Sequence, residues 1–215
     1  MRKILIKKSI FRAFFALCLG VFAGCGGTKT VVAEPKETVV SYTKPLPKVT
    51  AAGQVIFANG TSILIPDFQN PNATLFFAVR HAEKNTAQSD EIADLLPEGW
   101  GRAVAMTQIL RETSVNRVFS TASPRCKSTA TPMRQGKHLT LEIYTKEAQN
   151  TVLNQLVSQK GQRVFWVGHS NTIPKMLNYL TNSSDYQDIP SDDYSRLYIV
   201  SATGIGRARV ILVEF

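Results

Sequence analysis

The sequence predicts an α/β fold, a three-layer sandwich in a single domain around a mostly parallel central sheet. Three observations carry that prediction. Runs at 75–79 (LFFAV) and 164–167 (VFWV), with a shorter one opening at Val118, are apolar at successive positions, which suits strands covered on both faces. Segments between them return an apolar residue every third or fourth position, the period of a helix packed by one side. The two patterns alternate along the chain, the order that builds a parallel sheet with helices on its faces.

The first residues stand outside that pattern. Arg2, Lys3, Lys7, Lys8 and Arg12 precede a 12-residue apolar run, 13–24, which is short for a bilayer span and of the length of a secretory signal core. The run ends Phe-Ala-Gly before Cys25, which resembles a bacterial lipoprotein signal, although Phe22 stands where that pattern more often has leucine. The resemblance implies a signal peptide over 1–24, lipidation of Cys25, and a membrane-anchored lipoprotein facing the periplasm or cell exterior of a bacterium. Ordinary signal cleavage nearby and an uncleaved interfacial anchor are the alternatives. Residues 25–52 mix Gly, Thr, Lys and Pro without periodicity and are expected to be a flexible tether, leaving 53–215 as the domain.

Within the domain, apolar runs at 54–57 and 62–65 flank Ala58-Asn59-Gly60-Thr61, a hairpin signal, and are expected to form a small edge ribbon before the first core strand. After the strand at 75–79, residues 85–98 read as a loop near the site. A helix follows over 99–113, with Ala103, Met106 and Leu110 on one face. A strand at 118–120 leads to a helical stretch at 126–133 and a short strand at 139–143. The stripe of Ala148, Val152, Leu153, Leu156 and Val157 marks a helix over 147–158. The strand at 164–167 precedes a helix over 173–180, and β-rich runs at 196–202 and 207–215 close the chain as a hairpin around Gly204-Ile205-Gly206.

Composition narrows the function classes. The formal charge of +9 comes largely from the N-terminus: without residues 1–24 the 25 basic residues fall to 20 against 16 acidic, a balance of +4. That is only mildly basic, and no basic stripe interleaved with aromatics argues for a nucleic-acid partner. An anionic small molecule is compatible. Of three cysteines, Cys18 would leave with the signal and Cys25 would carry lipid, so Cys126 is left alone as a small buried hydrophobe. Three scattered histidines lack the spacing of a metal site, and no metal or cofactor is expected.

The chemistry gathers where the strands end. If the strands ending near Val79, Ser120 and Gly168 are neighbours, their carboxyl ends bring Arg80, His81, Arg125 and His169 into one pocket, where open α/β sheets place ligands. Guanidinium forks match phosphate oxygens, and one imidazole can attack phosphorus while the second histidine helps hold the equatorial oxygens. Ser170 or Asn171 is placed to cap the next helix, with Pro174 in its first turn, so that free backbone N–H groups point at the same anion. Ser128 or Thr129 would donate a hydroxyl beside Arg125 or cap.

The segments RHAEK (80–84), SPRCKSTATP (123–132) and VGHSNTIP (167–174) together resemble the motifs of the histidine phosphatase superfamily, which includes the cofactor-dependent phosphoglycerate mutases, and DDYSRLYIV (192–200) resembles the closing region of its small bacterial members. The resemblance covers about 74–215. It implies a phosphoglycerate mutase-like fold and a metal-independent phosphatase acting on a small phosphorylated substrate, with His81 as the nucleophile and Arg80, Arg125 and His169 as phosphate ligands. Asn171 joins the expected substrate-binding residues. The mutases carry Ser and Asn after the Glu of this motif, whereas Lys84 follows Glu83 here, so mutase activity is not expected. Phytase-like members carry Asp after the second histidine, whereas Ser170 stands here, which leaves the general acid open among Glu83, Glu142 and other residues. A catalytically silent relative that binds phospho-ligands or a partner through the same pocket is the alternative.

Overall fold

The computed structural model describes residue 42 and residues 44–215. The signal peptide, Cys25 and most of the tether expected from the sequence lie outside the described residues. Among those described, the elements in order are β1 (Lys48–Val49), β2 (Gln54–Ile56), β3 (Ser62–Leu64), β4 (Thr74–Arg80), α1 (Pro97–Ile109), β5 (Arg117–Ser120), α2 (Pro124–Gly136), β6 (Leu141–Ile143), α3 (Gln149–Gln159), β7 (Arg163–Gly168), α4 (Thr172–Thr181), β8 (Arg196–Ala202) and β9 (Ala208–Glu214). No helix among them is long and apolar enough to cross a membrane.

The central sheet has six strands in the order β6-β5-β7-β4-β8-β9. β6, β5, β7 and β4 run parallel, and the closing hairpin β8–β9 adds antiparallel to β4. β4 therefore sits inside the sheet, buried at all seven positions, which explains its unbroken apolar run. Its side chains alternate between two cores. Leu75, Phe77 and Val79 join Phe165, Val167, Leu197 and Ile199 against Met106, Ile109 and Leu110 of the α1 side and Ala130 and Met133 of α2. Phe76 and Ala78 join Val164, Trp166, Tyr198 and Val200 against Leu153 and Leu156 of α3 and Ile173, Met176 and Leu177 of α4. The period of two in each strand produces the three layers. Each large side chain so buried contributes roughly 1.5–3 kcal/mol, and the sum fixes the strand ends that carry the site.

The remaining β structure differs from expectation. The hairpin at Asn59-Gly60 forms, with Gly60 at positive φ and the Asn59 carboxamide accepting from the Thr61 N–H, but its strands do not join the edge of the central sheet. They form a separate antiparallel sheet, β1-β2-β3, because β2 takes Lys48–Val49 as its second partner. Val49 and Val55 are fully buried in the core on the α1 side. Residues 48–49 come from the stretch expected to be tether, and Tyr42 also packs against that core.

Two local features bring α1 against the site loop. Pro97 starts the helix, where its missing N–H costs nothing. Gly99 lies in the first turn, and a Cβ there would come within 2.4 Å of the Glu83 carbonyl oxygen. The backbone of Glu83 is thereby held to the helix start, with its carbonyl also accepting from the Leu96 N–H at 2.9 Å. The helix ends at Ile109 rather than near Thr113, whose hydroxyl turns away to donate to the Val49 carbonyl at 3.2 Å.

Candidate active site

The parallel strands β4, β5 and β7 end together, and the predicted residues follow at once. Arg80 pairs with Gly168 in register, and the His81 N–H continues the ladder by donating to the Gly168 carbonyl at 2.9 Å. That bond sets His81 beside His169: the two ring centroids lie 5.6 Å apart and the planes meet at 71°. Arg125 arrives from the first turn of α2, which starts just after β5. The four side chains are buried, from 4% exposure at His81 to 8% at Arg125.

Each is fixed by bonds that leave part of it free. The Arg80 Nη1 donates to the carbonyls of Pro190 at 2.8 Å and Asp193 at 3.0 Å, and the guanidinium lies over the Tyr194 ring at 4.1 Å from its centroid. The Arg125 Nη1 donates to the Asp90 carbonyl at 2.6 Å. In both arginines the Nε–H is buried without a partner. Buried donors of this kind are costly unless something accepts from them, and an oxyanion would. The structure thus brings together the two arginines and two histidines that the sequence placed at strand ends.

The imidazoles are held neutral. His81 Nδ1 lies 2.8 Å from the Ala82 carbonyl, so Nδ1 must carry the hydrogen and Nε2 keeps its lone pair. Burial, then the charges of Arg80 and Arg125, push the His81 pKa down to about 3 against the Ala82 bond that would raise it. Burial likewise lowers His169 to about 4, with Arg125, Lys146 and Arg80 adding to the effect. The Thr121 hydroxyl lies 2.9 Å from His169 Nε2, and the His169 N–H donates to the Thr172 hydroxyl at 2.8 Å. Two permanent cations and two neutral rings make a site for an anion, with an unprotonated nitrogen available for attack.

A stability consequence follows with a definite sign. Unfolded, each imidazole titrates near 6.5, so between that pH and the folded values of about 3 and 4 the unfolded chain binds more protons. Acidification from pH 7 to 5 in phosphate-free buffer is expected to cost up to about 2 kcal/mol per histidine. Urea unfolding at the two pH values measures it; equal midpoints for the wild-type domain, or an equal drop in a His81→Asn/His169→Asn variant, would contradict the assignment.

The other predicted residues fall out differently. The Glu83 Oε1 is taken by the Arg102 Nε and Nη2, both at 2.7 Å, and its Oε2 is buried without a partner. The Glu142 carboxylate is bound by the Arg117 guanidinium, whose Nε lies at 2.8 Å, and Arg117 is the first residue of β5, at the end of the strand away from the site. Asn171 precedes α4 directly, but its side chain does not cap the helix. Thr129 accepts from the Ala82 N–H at 2.9 Å and donates to the Arg125 carbonyl at 2.7 Å, tying the residue after His81 to α2 rather than facing the ligand. Cys126 is buried as expected, its Sγ 3.8 Å from His169 Nε2, and burial raises its pKa. Among the described residues no group of three or more His, Cys, Asp or Glu side chains is placed to hold a metal ion.

Sequence reasoning missed Tyr194, Thr121 and the Asp90 carbonyl. Thr121 had a signal, since it follows β5 as His81 follows β4. Tyr194 had only its place in DDYSRLYIV, and nothing in the sequence set it over Arg80.

No family model matches the chain, and no curated protein matches it. Solved structures do. One is the protein histidine phosphatase SixA in complex with tungstate, 16% identical with a TM-score of 0.56, covering 66% of this chain and 97% of that one. Another is mycobacterial glucosyl-3-phosphoglycerate phosphatase, 14% identical with a TM-score of 0.54, covering 66% and 98%. The same mycobacterial enzyme with inorganic phosphate matches at a TM-score of 0.52. The six-stranded sheet and the helices on its two faces are the fold of these histidine phosphatases, the phosphoglycerate mutase-like fold.

Proposed function

We propose that the domain is a metal-independent phosphatase that hydrolyses phosphomonoesters or related phosphoryl compounds through a phosphohistidine on His81. The observation that carries the proposal is the unprotonated Nε2 of His81 set among Arg80, Arg125 and His169, with two buried Nε–H donors left open. Similar folds bound to tungstate and to inorganic phosphate support an oxyanion in this position.

The chemistry follows from the geometry. The two guanidiniums and His169, with Asn171 at the start of α4, hold the phosphoryl oxygens, and the His81 Nε2 lone pair forms the N–P bond as the bond to the leaving group breaks. Water then attacks phosphorus, the N–P bond breaks, and inorganic phosphate leaves with His81 neutral again. Glu83 and Glu142 are both bound by arginines, so the reading favours leaving groups that depart with little protonation, such as the imidazole of a phosphohistidine or an acidic alcohol.

Rapid acid-free quenching of the domain with a labelled phosphoryl donor, in EDTA, is expected to trap a phosphoenzyme stable to alkali and labile to acid. A label that maps to a residue other than His81, or turnover abolished by EDTA, would overturn the mechanism.

A further inference from the structure

The loop between α4 and β8 reaches the reaction centre through Tyr194, a residue to which the proposed chemistry gives no part. The centroid of its half-buried ring lies 4.1 Å from the Arg80 guanidinium carbon and 6.1 Å from the His81 ring centroid, with the two ring planes 52° apart. The loop that carries it is braced along its length. The Asp193 N–H donates to the Pro190 carbonyl at 3.1 Å and closes a turn. The Asp193 carboxylate accepts from the Ser195 N–H at 3.0 Å, from the Ser195 hydroxyl at 2.8 Å and from the Arg196 Nε. The Ile189 N–H donates to the Ser170 carbonyl at 3.0 Å, one residue after His169.

That bracing decides which edge of Arg80 is offered to a ligand. Its Nη1 is occupied by the Pro190 and Asp193 carbonyls of the one turn, its Nε is buried with no partner, and its Nη2 makes no hydrogen bond among the described residues. The Nε–H and one Nη2–H share an edge of the planar guanidinium, the pair that meets two oxygens of one phosphoryl group side by side. The two bonds at Nη1 fix one corner of the plane and leave its tilt free. A ring laid against the face removes that freedom. Burial pushes the Arg80 pKa down, and the negative face of the ring favours the cation that burial disfavours.

We infer that Tyr194 is a positioning residue, its ring holding the plane of Arg80 so that the Nε and Nη2 edge meets two equatorial oxygens of the phosphoryl group in the transition state. The inference rests on the proposed function for what Arg80 binds. A phosphate ion, tetrahedral and free to turn, can follow a guanidinium that tilts. The flattened phosphoryl group in transit between the leaving group and His81 is held in line by both and cannot. Loss of the ring is therefore felt in kcat more than in KM.

Tyr194→Leu is expected to lower kcat for an aryl phosphate about tenfold while KM changes by less than about twofold. Tyr194→Phe keeps the ring face and is expected to rescue most of the rate. In an Arg80→Lys background, where the cation has no plane to hold, Tyr194→Leu should cost less than about twofold. A binding arm reads the same role without turnover. By calorimetry, orthovanadate, which takes the five-coordinate geometry of the transition state, should bind Tyr194→Leu about tenfold more weakly than wild type, whereas inorganic phosphate should change by less than about twofold. The retained phosphate affinity also shows the variant folded, and Tyr194→Met, closer to the ring in volume, should give the same split if Tyr194→Leu melts early. Equal loss for the two anions, a loss in Tyr194→Phe as large as in Tyr194→Leu, or a tenfold cost that persists in the Arg80→Lys background overturns the role. Absence of any hydrolysis with the split between the anions intact overturns the phosphatase reading and leaves the role standing. A wild-type domain that binds neither anion overturns both.

Discussion

His81→Ala is expected to lower turnover of a phosphomonoester by at least about a thousandfold, since removal of a nucleophile forfeits the covalent route and leaves only binding and charge stabilisation. The side chain is small and its position is held through the backbone, by the His81 N–H on the Gly168 carbonyl and by Thr129 on the Ala82 N–H. The variant should therefore keep the sheet edge and the anion site, and it should still bind inorganic phosphate through Arg80, Arg125 and His169. Two controls sharpen the result. Added imidazole can occupy the space left by the ring and is expected to restore part of the rate, because the missing group is then supplied as a free nucleophile. His169→Ala, by contrast, should weaken phosphate binding and slow turnover without responding to imidazole in the same way. Retention of full activity by His81→Ala would remove the mechanism, whatever the second histidine does.

The parts of the site that were legible in the sequence are those where covalent neighbourhood and spatial neighbourhood coincide. Arg80 and His81 end β4, His169 follows β7, and Arg125 opens the helix after β5, so strand recognition alone placed them at one sheet edge. The apolar runs themselves were legible because the middles of β4 and β7 are covered on both faces and take apolar residues at successive positions. What fixes those side chains was not legible. Tyr194 reaches Arg80 across 114 positions of chain, and its approach depends on the Arg80 bonds to the Pro190 and Asp193 carbonyls, which are backbone groups with no sequence signature. The assignment of β1 failed for a related reason. Two residues, Lys48 and Val49, have no period to read, and their strand state comes from pairing with β2 rather than from local preference.

The Glu83 question shows where tertiary packing decides a role that spacing suggests, and it carries the largest expected effect on stability. Arg102 places its Nε and Nη2 each 2.7 Å from Glu83 Oε1, and its guanidinium lies beside the adjoining rings of Tyr42 and Phe215, at 5.4 and 5.6 Å from their centroids. The two charged side chains are only 15% and 19% exposed. Replacing Arg102 with methionine leaves a buried carboxylate with neither oxygen partnered, a change of the kind that costs about 3–5 kcal/mol. Arg102→Met/Glu83→Leu removes both charges and is expected to recover more than half of that loss, because an apolar pair avoids the desolvation penalty altogether. Urea unfolding of both variants measures the difference; a single replacement costing under about 1 kcal/mol, or a double as costly as the single, would show that the pair is solvated in solution. Glu83→Gln then separates a positioning role from proton donation. As an anchor of the loop two residues beyond His81, Glu83 should affect alkyl and aryl phosphates by the same factor when replaced. As a proton donor it would matter far more for the alkyl phosphate, whose leaving oxygen needs the proton. The Arg102 contact turns the carboxylate to α1, and the equal factor is the outcome it predicts.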